Sequence, residues 1–232
     1  MKRILPYILS ILIFLSCEPE EEKPSNLSDR YASCNSQLSA CVNGNGQYCL
    51  FGYKWGADNP IARAGYNAEG PQSPSGLLSF SFQEENGTLN THRQRNLASK
   101  SFNSVVSCAK TEIRNALDAW AGVSQIEFEE LADNSDSDLK FYLADIVQGG
   151  IGYPNYTDVL CSELSGNIVI DVNTNISDCQ DFFLFMLHEI GHVLGLGHVE
   201  TVNVMNRKFL TLNISTLQTG DSLGIIQIYG AK

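Results

Sequence analysis

Three of the four histidines in this 232-residue chain fall in the single run His188-Glu189-Ile190-Gly191-His192-Val193-Leu194-Gly195-Leu196-Gly197-His198. Histidines four apart share one face of a helix, about one turn apart, so both imidazoles reach a single point. That pair suits zinc, and a tetrahedral ion that keeps one position for water needs a third protein donor. His198 is placed to supply it if the helix stops and the chain turns back. Gly195 and Gly197 permit such a turn, because glycine takes a positive φ without steric cost. Glu189 is rotated about 100° from the ligand stripe, so it flanks the ion instead of binding it. Zinc lowers the pKa of a bound water to roughly 7, and a carboxylate in that position takes its proton as the water attacks a carbonyl. The same carboxyl can return a proton to a leaving amine. These residues therefore imply metal-assisted hydrolysis of a peptide bond, with His188, His192 and His198 holding one catalytic Zn2+ and Glu189 acting as base and acid. His92 lies in a polar stretch with Arg93 and Arg95 and reads as a surface residue without a role.

The elements that must position this run can be read from hydrophobic period. Leu78, Phe80 and Phe82 alternate with polar residues as in a strand, which ends at the turn signal Asn86-Gly87. Val106, Ala109, Ile113, Ala116 and Trp120 recur at helical spacing, predicting an amphipathic helix over Ser104 to Ala121 that stops at Gly122. Strands are expected over Gln125 to Glu130, with Ile126 and Phe128 inward, and over Asp138 to Leu143. The stretch Gly149-Gly150-Ile151-Gly152 reads as a bend leading to a further strand over Asn167 to Val172. Ser177 or Asp178 can cap the motif helix, whose apolar run from Phe182 to Leu187 requires burial. Leu223, Ile226 and Tyr229 mark a last helix that ends at Gly230. The pattern is that of one α+β domain over residues 76–232.

Charge sets nucleic acid aside as a partner: 15 Lys+Arg stand against 26 Asp+Glu, for a formal net charge of -11. At the N-terminus, Met1-Lys2-Arg3 precedes an apolar run from Ile4 to Ser16 that is too short to span a bilayer and fits a secretory signal, residues 1–16. Phe14-Leu15-Ser16-Cys17 resembles a bacterial lipoprotein cleavage box, which would make Cys17 the lipidated residue. The acidic, proline-containing stretch Glu18 to Ser25 then reads as a tether. The expectation is an exported protein, anchored to the cell envelope or surface by an N-terminal lipid and otherwise secreted.

Setting Cys17 aside leaves Cys34, Cys41, Cys49, Cys108, Cys161 and Cys179, an even set for three disulfides in an oxidising compartment. Spacing cannot choose the pairing; Cys161 with Cys179 is the working expectation, because it would staple the segment that leads into the motif helix. Residues 17–75 read as a tether followed by a Cys-rich appendage or pro-segment.

The motif HEIGHVLGLGH resembles the zinc-binding consensus of the metzincin metallopeptidases. Val204-Met205-Asn206, seven residues beyond His198, is similar to their Met-turn, in which a methionine underlies the zinc. Among metzincins the matrixins resemble the chain best, over residues 76–232: the order of strands and helices matches, and the ending from Leu217 to Gly230 is similar to their last helix. The resemblance implies a twisted, mostly parallel five-stranded sheet with three helices and zinc in a cleft below the edge strand. That edge strand is expected to be Asn167 to Val172. The resemblance also implies His188, His192 and His198 as zinc ligands, Glu189 as general base, Met205 as support, and protein or peptide substrates.

The chain departs from the family at Val199, where matrixins usually have Ser, and at Asn206-Arg207, where Tyr-Pro often follows the methionine. With only His92 to spare, the second, structural zinc of animal matrixins is not expected. Bound calcium is common in the family, and Asp133, Asp136 and Asp138 are its candidates here, with a solvated turn as the commoner alternative. The pro-segment motif PRCGxPD does not occur. The leading reading is a monomeric, surface-anchored or secreted zinc endopeptidase. Its rival is a catalytically idle metallopeptidase scaffold serving surface binding or adhesion, against which the retention of Glu189 argues.

Overall fold

A computed structural model describes residues 31–42, 45–85, 87–146 and 149–232. The expected signal sequence, Cys17 and the acidic tether lie outside the described residues, as does Asn86 of the expected turn. Among the described residues no helix is long and apolar enough to cross a membrane.

The chain order is α1 (Ala32–Ser36), β1 (Cys49–Leu50), β2 (Gly65–Tyr66), β3 (Gly76–Gln83), β4 (Thr88–Leu89), β5 (Leu97–Ala98), α2 (Ala109–Val123), β6 (Ile126–Glu130), β7 (Leu139–Ala144), β8 (Gly150–Gly152), β9 (Asn167–Asp171), α3 (Cys179–Val193) and α4 (Thr219–Tyr229). Short 3-10 turns at Ser39–Cys41, Phe102–Ser104, Ser162–Leu164 and Phe209–Thr211 join them. The central sheet has five strands in the order β6-β3-β7-β9-β8. The first four run parallel, and β8 alone is antiparallel to its neighbour. With α2, α3 and α4 as its long helices, the fold is α+β, in accord with the expectation.

Strand alternation explains the layering. Leu78, Phe80 and Phe82 share one face with Leu139, Phe141, Leu143, Ile168 and Ile170, and this face forms a continuous core with Trp120 of α2 and with α3. A smaller cluster, Leu89, Tyr142, Ala144, Ile146 and Val169, packs on the other face under the β4–β5 pair. The apolar run of α3 is buried as its composition demands, and Asp178 caps the helix by accepting from the Asp181 N–H at 2.9 Å.

The structure corrects several expectations. The edge strand is β8, not Asn167–Asp171: β9 carries a partner on each side, β7 and β8. The glycines that suggested a bend form that edge strand. The first long helix starts at Ala109 rather than Ser104, because a 3-10 turn occupies Phe102–Ser104 and the helix begins after Cys108. In α4 the buried positions are Gly220, Asp221, Gly224, Ile225, Ile228 and Tyr229; Ile226 packs half-buried against the same core, whereas Leu223 is exposed.

All six described cysteines are paired, but Cys161 does not pair with Cys179. The bonds are Cys34–Cys161, Cys41–Cys49 and Cys108–Cys179. Because α2 and α3 pack side by side, Cys108 at the start of α2 faces Cys179 at the start of α3, and the motif helix is stapled to that helix. Cys161 lies beyond β8, where the N-terminal segment reaches it. That segment is also packed into the domain: Cys49, Leu50, Phe51, Trp55 and Ile61 belong to the same core as the motif helix.

Candidate active site

The motif helix ends where its third histidine needs it to end. The Leu196 N–H bonds to the Gly191 carbonyl at 2.9 Å and the Gly195 N–H to the His192 carbonyl at 3.0 Å, with Gly195 at φ +104. This is a Schellman stop, in which the residue after the cap is left-handed and orphan carbonyls are satisfied. Further carbonyls at this end are taken by Trp55 Nε1–H (Val193, 3.0 Å) and by the Tyr229 hydroxyl (Leu194, 3.0 Å). Only Gly195 uses a positive φ. Gly197 is required for room instead: a Cβ there would lie 2.1 Å from Cys41 Sγ.

After the turn the chain is held against the N-terminal segment. The Phe51 N–H donates to the Gly195 carbonyl at 2.8 Å and the Gly197 N–H to the Cys49 carbonyl at 2.9 Å, so residues 195–197 lie along β1. His198 is thereby returned to face the helix. The three Nε2 atoms of His188, His192 and His198 form a triangle with sides of 3.1, 3.2 and 3.2 Å. A tetrahedral zinc about 2.0–2.1 Å from each nitrogen would separate them by about 3.3 Å, so the donor set fits that ion.

Tautomer agrees with this fit. His188 Nδ1 lies 2.7 Å from the Val204 carbonyl and His192 Nδ1 2.9 Å from the Leu196 carbonyl. Each can only donate to a carbonyl, which leaves the Nε2 lone pair free for a metal. Burial lowers all three histidine pKa values, to about 3 for His188, about 4 for His192 and about 2 for His198, so the rings are neutral donors at pH 7. Two rings are also held by stacking: Phe51 lies over His192 at 5.6 Å and Phe209 over His188 at 4.4 Å.

Glu189 is buried beside this triangle, under β8. Its carboxyl accepts from the Gly152 N–H, and burial raises its pKa to about 8. A carboxyl held near neutrality can both take and give a proton. Glu189 and the three histidines share one cavity of ≈ 590 Å³ with Gly150, Ile151, Gly152, Phe51 and Arg207.

Met205 lies beneath the histidines, 2% exposed, with its sulfur against Gly191; a Cβ on that glycine would be 2.4 Å from Sδ. The Met205 turn is fixed by Asp221, a buried carboxylate of α4. Asp221 accepts from the Val204 N–H (2.8 Å), the Met205 N–H (3.1 Å) and the Gln218 N–H (2.8 Å). Burial raises its pKa above the usual carboxylate range, and these three donors offset only part of that rise. The Val204 carbonyl held by this arrangement is the one that orients His188.

Sequence reasoning missed Asp221, Phe51, Phe209 and the β8 glycines. A signal existed for two of these: Gln218 and Asp221 have the spacing of a helix capping box, and dense glycine in a strand marks close approach of another backbone. Nothing local marks Phe51 or Phe209. His92 is not a bare surface residue. It lines the same cavity, and its Nδ1 lies 2.8 Å from the Tyr153 hydroxyl. Of the three aspartates considered for calcium, Asp133 pairs with Lys110, Asp136 with Lys140, and Asp138 accepts from the Ser79 N–H and hydroxyl.

Comparison with known proteins agrees with this architecture. Metalloendoproteinase 1-MMP of Arabidopsis thaliana is 29% identical over 138 residues, a match covering 52% of this chain and 38% of that protein. The chain therefore spans well under half the length of the curated relative it matches. The family model described as matrixin, Peptidase_M10, matches residues 77–230, more than half of the chain, from the first strand of the sheet to the end of the last helix. On that match, and with a fold of the kind the family implies, the chain belongs to the matrixin family.

Proposed function

We propose that this protein is a zinc-dependent peptidase that hydrolyses peptide bonds in proteins or peptides. The observation that carries the reading is the convergence of three neutral imidazole Nε2 atoms within 3.2 Å of one another, beside a buried carboxyl with a near-neutral pKa. His188, His192 and His198 would hold the ion, which when bound supplies Lewis acidity and lowers the pKa of a water to roughly 7. Glu189 takes the proton of the attacking water at its carboxyl and passes one to the leaving amine. Among the described residues β8 has no strand partner on the side away from β9, and apart from the Gly152 N–H held by Glu189 its outward backbone groups can pair with an extended peptide. Met205, Asp221 and the Val204 carbonyl fix His188, while Phe51 and the Leu196 carbonyl fix His192. Export and acylation at Cys17 complete the proposal, and an acylated N-terminal peptide found by mass spectrometry of the membrane fraction would support them.

The test compares cleavage of an unfolded general protein substrate by residues 18–232 and by Glu189→Ala, each with and without a zinc chelator. Cleavage by the parent protein that is lost in the variant and with chelator is the expected result. No cleavage by a folded, zinc-loaded parent protein would end the peptidase reading.

A further inference from the structure

The segment from Cys34 to Cys41 is tied to opposite rims of the cleft. At one end Cys34 is bonded to Cys161, beyond β8, and packs with Tyr31, Tyr153, Tyr156 and Leu164. The Cys34 carbonyl accepts from the Tyr156 hydroxyl at 3.3 Å, and the Tyr31 hydroxyl donates to Glu163. At the other end Cys41 is bonded to Cys49, in the strand that holds the His198 loop, and sits directly against Gly197. Between these anchors Asn35, Ser36, Leu38 and Ser39 line the cavity of the histidines and Glu189.

The position of this strap along the groove follows from β8. Gly150 lies over Phe185 and the Glu189 carboxyl, whereas Gly152 lies over the Glu189 backbone and Val193, nearer the C-terminal end of the motif helix. The strap leaves the upper rim just past Gly152, where Tyr153 meets the Cys34 cluster, and reaches the lower rim at Gly197, just past the helix. It therefore crosses the groove at the Gly152 end. The strap residues that line the cavity are short and polar or apolar. No Cys, His, Asp or Glu of the strap joins the three-histidine donor cluster, so it supplies no fourth ligand. A cut in the chain on either side would leave the strap attached through its two disulfides.

We infer that the Cys34–Cys41 strap is a permanent end wall that closes the groove on one side of the scissile bond, so the enzyme acts on bonds within a few residues of a chain end. The inference rests on the peptidase reading and names its substrate class: short peptides and exposed chain termini. An extended chain interior would have to displace a disulfide-held segment, a steric penalty against one class of substrate.

The experiment uses zinc-loaded residues 18–232 and a ladder of fluorogenic peptides sharing one scissile sequence, extended stepwise on the amino side or on the carboxyl side. We expect kcat/KM to fall by roughly tenfold or more once extension on one side passes a few residues, and to be insensitive on the other. The double variant Cys34→Ser, Cys161→Ser frees the upper anchor and should restore cleavage of the long members, with the short members unchanged. Two measurements do not depend on that variant folding. Affinity of the same ladder for zinc-loaded Glu189→Ala, read by fluorescence anisotropy, should show the same length limit without turnover. Mass spectrometry of an unfolded protein digested by the parent enzyme should find trimming from one terminus. Cleavage independent of length on both sides, with internal fragments, would overturn the inference and leave the peptidase reading standing. Failure to cleave any member would overturn both.

Discussion

Gly152 lies so close over Glu189 that a Cβ on the glycine would be 2.2 Å from the Glu189 carbonyl oxygen, and its own N–H bonds to the Glu189 carboxyl. The edge strand and the proposed catalytic base are thus fitted to one another through a residue that has no side chain. Gly152→Ala must push β8 off the motif helix, because the collision is with backbone that cannot rotate away. We expect a loss of about 1–3 kcal/mol of stability, as for overpacking in a core. A larger proportional loss of kcat/KM should accompany it as the Glu189 hydrogen bond is broken. Urea unfolding together with peptide kinetics checks this; an alanine variant with parental kinetics would show that β8 does not position Glu189.

Asp221 should act on metal binding although it touches no histidine. Asp221→Ala leaves the N–H groups of Val204, Met205 and Gln218 without their acceptor in a buried site, each costing about 1–3 kcal/mol. The freed Val204 carbonyl then holds His188 less well, and weakening of such outer partners lowers metal affinity by about 10–100-fold. Competition with a chromophoric zinc chelator measures the affinity directly. Unchanged affinity in a folded Asp221→Asn protein would refute the coupling, since the amide keeps the shape but offers a single acceptor oxygen.

Acid should destabilise the protein partly through His92. Burial, reinforced by Arg93, lowers its pKa from 6.5 to about 4, so the folded protein keeps the ring neutral where the unfolded chain protonates it. Between about pH 6.5 and 4 the unfolded state binds more protons, so this stabilisation, complete above 6.5, is lost as the pH falls toward 4. Among the described residues His92 Nε2 is buried without a hydrogen-bond partner. His92→Gln should flatten this part of the profile, seen as a smaller drop in urea midpoint between pH 7 and pH 5. An equal drop in both proteins would place the acid sensitivity elsewhere.

The N-terminal segment should be indispensable to folding. Removing residues before Gly76 takes Leu50, Phe51, Trp55 and Ile61 out of the core and strips the 195–197 loop of its strand partner. Losing one such side chain typically costs about 2–5 kcal/mol, against a whole-domain stability of about 5–15 kcal/mol. Residues 76–232 alone should therefore show no cooperative thermal transition by circular dichroism. A sharp melt with zinc bound would show the segment to be dispensable.

Much of the architecture was legible because it rests on local pattern. The alternation of Leu78, Phe80 and Phe82 and the apolar run from Phe182 to Leu187 each reflect a face that must be buried, and burial has a fixed period in a strand or helix. The convergence of His188, His192 and His198 was legible for the same reason: helical geometry places the first two, and Gly195 makes the stop that returns the third. The edge strand was not legible. Gly150-Ile151-Gly152 has neither β-branched alternation nor length, and its conformation is imposed by β9 on one side and by Glu189 beneath. The disulfide pairing was equally hidden, since which cysteines meet depends on how α2 and α3 pack and where the N-terminal segment lies.

By itself, then, the sequence determined the donor set, the carboxyl beside it and the elements that carry them, because these follow from residue chemistry and from spacing along one helix and its turn. Only the tertiary structure decided what surrounds that set: Asp221 under the Met205 turn, Phe51 against His192, β8 over Glu189, and the Cys34–Cys41 strap across one end of the groove. Those contacts join residues far apart in the chain. They exist only once packing has paired the surfaces, and no local periodicity records them.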